Sequence, residues 1–197
     1  MSNLPLKFGQ YIVPLLIVCT SIVLYFMEPY SSQYLEYNVP AIQLGEHYRL
    51  LSGHLLHTNL IHLLFNVLGF ILLWALHGDD YRPLECSLLF IGLCLCVSLM
   101  MYFLSSELTS YVGLSGVLHG IFAWGIVQDI RKKMLSGYLL LIGLVLKVGN
   151  EQLYGAGTLM PDLIGASVAI QSHLYGAIMG VLFGILSWIF RTKHTST

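Results

Sequence analysis

Six apolar runs, each nearly free of charge, confine this chain to one kind of structure. They extend approximately from Phe8 to Met27, Leu60 to Leu76, Leu84 to Leu104, Ser115 to Val127, Leu135 to Val148 and Ile170 to Phe190. A membrane-crossing helix needs about 20 mostly apolar residues, and its backbone polar groups must be satisfied within the segment, which helices do and open strands do not. The expected fold is an all-α membrane protein, a six-transmembrane-helix bundle forming a single domain over residues 1–197, with a short flexible tail at about 193–197. Only 10% of residues are charged, against about 25% in a soluble domain. A net charge of −1 supplies no basic footprint for nucleic acid.

Lys7 precedes the first run, and only Glu28-Pro29 follows it, with no small-residue cleavage site. It reads as a retained span rather than a cleaved signal. Among the short loops, seven Lys and Arg residues (Lys7, Arg82, Arg131, Lys132, Lys133, Arg191, Lys193) fall on one side of the bilayer, and two (Arg49, Lys147) on the other. The positive-inside rule then places both termini in the cytoplasm, with Ser115 and His173 at the outer side. The fourth run is too short to span alone, so the loop before Ser115 is expected to dip into the protein. The long connection from Glu28 to Asn59 carries Tyr30, Tyr34, Tyr37 and Tyr48, suited to the headgroup zone. Pro40 to Gly45 should break regularity, and Arg49 to Leu56 should form a short interfacial helix. Cys19, Cys86, Cys94 and Cys96 read as free thiols packed as small apolar side chains.

Two glycine-rich segments carry the chemistry: Gly113-Leu114-Ser115-Gly116-Val117-Leu118-His119-Gly120, and His173-Leu174-Tyr175-Gly176 continuing to Gly180 and Gly184. Small residues four apart share a helix face and let two helices approach closely. Such an approach would bring Ser115 to His173, which can activate its hydroxyl. At a helix start the Ser115 backbone N–H is also without an intrahelical acceptor, and is therefore a candidate oxyanion donor. The bland alternatives are an N-cap serine and a packing histidine. In the second run His62 and Asn66 lie four apart on one face, the pattern of two side-chain donors aimed at one point. A hydrogen-bonded structural cluster is the competing reading. His54, His57, Asn59 and His62 are expected to line a water cavity from the outer face.

On these motifs the chain resembles the rhomboid family of intramembrane serine proteases. Tyr48-Arg49 is similar to the family's aromatic–Arg pair, and His57, His62 and Asn66 to its histidine–asparagine pattern. Gly113-x-Ser115-Gly116 is similar to its nucleophile motif, and His173-x-x-Gly176-x-x-x-Gly180 to its base motif. The resemblance implies Ser115 as nucleophile and His173 as base, in a dyad without a carboxylate. It also implies an oxyanion hole of His62, Asn66 and the Ser115 N–H, a structural role for His57, and a lateral gate near the fifth helix. No cofactor and no metal are implied.

His119 stands where family members often carry Tyr. With its flanking glycines it resembles the rhombosortase branch, which would process bacterial surface proteins bearing Gly-Gly C-terminal sorting tails. The implied partners are the lipid bilayer, membrane substrates with a C-terminal transmembrane tail and an amine acceptor; the implied location is the bacterial inner membrane. Three other readings stay open: a generic rhomboid protease of other single-span substrates, a catalytically dead helix-binding relative, and a metal or haem protein using histidines such as His54 and His57.

Overall fold

The computed structural model describes residues 4–193, so all of the expected tail except Lys193 lies outside the described residues. Six helices of at least 17 residues follow the six apolar runs: α1 (Phe8–Phe26), α5 (Leu60–His77), α6 (Pro83–Leu104), α7 (Ser115–Arg131), α8 (Leu135–Tyr154) and α10 (Ile170–Lys193). Four short helices, α2 (Tyr30–Leu35), α3 (Val39–Gln43), α4 (Arg49–Ser52) and α9 (Leu159–Ile164), lie in the connections. Four of the long helices, α1, α5, α6 and α10, are long and apolar enough to cross a membrane. α7 and α8 carry more polar residues, for a reason that the packing supplies.

α7 is the axis of the bundle, with every residue from Ile121 to Asp129 except Phe122 buried. Lipid does not reach it, so it need not be apolar throughout. The expected end at Val127 is corrected by one turn: α7 continues to Arg131 because Gln128 and Asp129 find internal partners. Gln128 donates to the Gly184 carbonyl at 3.5 Å, and Asp129 lies 3.4 Å from His77. α8 likewise outruns Val148 by six residues, to Tyr154. The outer helices invert the soluble pattern. Leu64, Leu68 and Leu72 of α5 and Leu139, Ile142 and Val145 of α8 point outward, whereas His62, Asn66 and His77 point in. Exposed apolar faces around a core that holds the polar groups are what a lipid solvent selects. The chain is a multi-pass membrane protein.

The tightest contact joins α7 to α10, backbone against backbone. A Cβ on Gly176 would sit 1.9 Å from the Gly116 carbonyl oxygen, and one on Gly180 would sit 2.0 Å from that of Gly120. Gly184 departs from the glycine-on-glycine expectation, since it faces the Val127 side chain. At the far end of α7, about 25 Å from Ser115 at 1.5 Å per residue, buried Asp80 binds Lys132 and lies 3.5 Å from Arg191. This cluster ties the ends of α5, α7 and α10 together.

The long connection is more ordered than its sequence indicates. Pro40 does not break regularity but sits in the first turn of α3, where its missing N–H costs nothing, and Asn38 caps that helix through the Ala41 N–H. The expected interfacial helix is split into α4 and a 3₁₀ turn at Gly53–Leu55. Tyr30, Tyr34 and Tyr48 are exposed, but Tyr37 is fully buried, because strand β1 (Tyr37–Asn38) pairs antiparallel with β2 (Ser110–Tyr111). Arg49 is buried too, and it clamps the connection by donating to the Glu36 and Gln33 carbonyls at 2.9 and 3.1 Å. The Arg49 guanidinium, aided by the Tyr48 hydroxyl, holds the Glu46 carboxyl below its ordinary range. All four cysteines are free thiols; Cys86 and Cys94 are buried, Cys96 is partly so, and Cys19 is exposed.

Candidate active site

Ser115 is the first residue of α7, and the turn delivering it is held from three directions. The Gly113 N–H donates to the Gly53 carbonyl at 3.1 Å, the Tyr111 hydroxyl donates to the Gly113 carbonyl, and β2 is fixed to β1. Gly113 has φ +135°, a conformation that side chains resist, and a Cβ there would lie 2.9 Å from the His62 ring. Glycine at 113 therefore serves the turn and lets His62 come close. The loop before Ser115 is packed into the protein, as expected: Tyr111 and Leu114 are buried.

With α7 and α10 in backbone contact, the His173 Nε2 lies 2.9 Å from the Ser115 Oγ. The His119 ring stacks on the His173 ring, centroids 4.1 Å apart and planes within 15°. Its Nδ1 donates to the Ser115 carbonyl at 2.8 Å, which fixes the ring. His62 and Asn66 are both buried in α5. The Thr58 backbone nitrogen and Oγ1 lie 3.4 and 3.1 Å from His62 Nδ1, and the ring's Nε2 is on the side of Gly113. One Asn66 amide hydrogen goes to the His62 carbonyl at 3.0 Å, and the amide has a second.

A cavity of about 470 Å³ opens onto this cluster, lined by Ser115, His62, Thr58, Glu36, Glu107 and Gln171 among others. Of the four residues expected to line a water cavity, only His62 does so. His54 is fully buried, its Nε2 within 3.0 Å of the Ser98 Oγ and the Cys94 carbonyl, and burial holds its pKa below the ordinary histidine value. His57 is buried edge-on against the His62 ring, centroids 5.0 Å apart. Asn59 caps α5 through the His62 N–H at 2.8 Å, and its amide donates to the Leu163 carbonyl at 3.0 Å. The segment around α9 is thus fastened beside the cavity, with Thr58 donating to the Ile164 carbonyl at 2.6 Å.

One carboxylate was missed. The expected dyad lacks an acid, yet Glu151 of α8 places its Oε2 3.0 Å from His173 Nδ1. It lies one turn beyond the apparent end of the fifth apolar run, and its Lys147 partner four residues earlier was the available hint that the helix continues. His119, Glu151 and His173 offer ligand atoms within 4.8 Å of one another. A shared metal suits them poorly, because stacked parallel rings do not converge on one point and Glu151 already meets both His173 and Lys147.

Residues 44–190 match the family model of the Rhomboid domain. The chain belongs to the rhomboid family, and that membership supports an intramembrane protease-like function acting on membrane-embedded substrates. No curated protein matches the sequence.

Proposed function

We propose that this chain is a rhomboid serine protease of the rhombosortase branch, cleaving Gly-Gly C-terminal sorting tails beside their transmembrane helix. The observation that carries the reading is the 2.9 Å Ser115–His173 contact beside the cavity that Ser115 and His62 line. Ser115 Oγ attacks the scissile carbonyl carbon while its proton passes to His173 Nε2, and His62 Nε2–H, the free Asn66 N–H and the Ser115 N–H hold the oxyanion. The C–N bond then breaks as His173 returns the proton to the leaving amine. Water, or an acceptor amine, attacks the acyl-enzyme in the second half. Glu36 and Glu107 beside the cavity favour a cationic group there, which supports the amine route. The whole chain, 1–197, is read as one domain of six spans in a bacterial inner membrane, termini cytoplasmic, cavity on the outer face. A substrate helix enters past α8 and the segment around α9. Gly113, Gly116, Gly176 and Gly180 shape the backbone, while His57 and His119 support the reacting side chains.

The test is incubation of the reconstituted chain with a single-span protein carrying a Gly-Gly tail, followed by mass spectrometry of both fragments. A new C-terminal carboxylate marks hydrolysis, and an added amine mass marks transfer. An intact tail alongside cleavage of an unrelated single-span substrate would reject the branch and leave the generic protease. The oxyanion assignment makes a separate prediction: Asn66→Ala should lower kcat by about 10²–10³ with KM little changed. Wild-type kcat in that variant would remove Asn66 from the mechanism.

A further inference from the structure

Building on the protease reading above, we propose that Glu151 is a positioning residue that turns the expected dyad into a Ser115–His173–Glu151 triad. Glu151 is 3% exposed and His173 is 6% exposed, with Oε2 and Nδ1 3.0 Å apart. A carboxylate only accepts, so Nδ1 carries the ring hydrogen and Nε2 turns its lone pair to the Ser115 hydroxyl. The second oxygen accepts from Lys147. Both oxygens of this buried anion are therefore paired, as burial demands. Three contacts from two helices then fix the imidazole: Ser115 of α7 at Nε2, His119 of the same helix on its face, and Glu151 of α8 at Nδ1.

The consequence for the reaction is electrostatic as well as geometric. When the Ser115 proton reaches Nε2, the ring becomes a cation with a hydrogen on each nitrogen. Glu151 stabilises that cation while remaining ionised, and the Nδ1 hydrogen stays on His173. The Nε2 proton goes on to the leaving nitrogen as the C–N bond breaks. In the second half the attacking water gives its proton to Nε2, and Ser115 takes it back as the acyl bond opens. A purely structural Glu151 would serve only as the i+4 partner of Lys147 in α8, with no bearing on the chemical step.

The full chain in phospholipid vesicles distinguishes these roles, read by fluorophosphonate labelling of Ser115 and by cleavage of a single-span Gly-Gly-tail substrate. Glu151→Gln keeps the shape and removes the charge. It should lower kcat by about 10²–10⁴, slow labelling in parallel, and leave KM within about threefold. Lys147→Met leaves one Glu151 oxygen without its partner and should lower kcat by no more than about tenfold, well short of the loss in Glu151→Gln. Equal losses in both variants would make Glu151 structural, and a wild-type rate in Glu151→Gln would overturn the triad. Should Glu151→Gln not reach the membrane, Glu151→Asp carries the test: its shorter arm should cost about tenfold in kcat, and an undiminished rate refutes the proposal. Ser115→Ala separates the two levels of inference. Labelling that persists there sinks the protease reading itself, whereas labelling lost there but retained in Glu151→Gln sinks only the triad.

Discussion

Ser115→Ala is expected to reduce cleavage by about 10⁶, the loss seen when the nucleophile of a hydrogen-bonded catalytic unit is removed, while the protein remains folded in the membrane. The two halves of this expectation have different origins. Chemically, no other hydroxyl bonds to His173 Nε2 among the described residues, so no neighbour inherits the role. Structurally, the Ser115 side chain faces the cavity, and its removal deletes one hydrogen bond of about 1 kcal/mol. The His173 ring keeps its contacts to Glu151 and His119. A thermal midpoint within a few degrees of wild type, with no labelling and no product by mass spectrometry, is the expected result. Residual cleavage above about 1% of wild type would place the nucleophile elsewhere.

The helices and the Ser115–His173 pair were legible in the sequence because both depend on periodic signals. Apolar runs mark what meets lipid, and glycines four apart mark where two backbones touch. Glu151 was not legible because its relation to His173 spans 22 residues and a helix turn that hydropathy had ended too soon. Hydropathy measures what lipid tolerates, whereas α8 continues past Val148 because buried Glu151 has partners inside. The irregular segment before α5 failed for a related reason. His54 and His57 look alike on paper as cavity-lining imidazoles, but no periodicity operates in a single 3₁₀ turn or the irregular residues after it to say which side is inside. Tyr37 shows the same limit, since only its two-residue ladder with Tyr111 decides that it is core rather than headgroup belt.

The second large effect concerns that glycine seam. Gly176→Ala combined with Gly180→Ala should abolish cleavage and lower the thermal midpoint markedly, although each change adds a single methyl group. The obstacle is backbone, which has no rotamer to yield: the new Cβ atoms would fall 1.9 and 2.0 Å from two α7 carbonyl oxygens. To restore a contact of 3.4 Å, α10 must retreat by about 1.5 Å. Overpacking of this sort costs about 1–3 kcal/mol per site, and the two sites share one interface, so their costs will not simply add. The same retreat would stretch the 2.9 Å Ser115–His173 contact past hydrogen-bonding range, and a misplacement of about 1 Å already costs about 10² in rate. Gly143→Ala provides the control, since a Cβ there meets nothing within 4 Å. Removing a glycine from the interior of α8 should leave activity intact and stability equal or slightly higher. Full activity in the double variant would mean that the approach of α7 to α10 does not set the distance between the reacting groups.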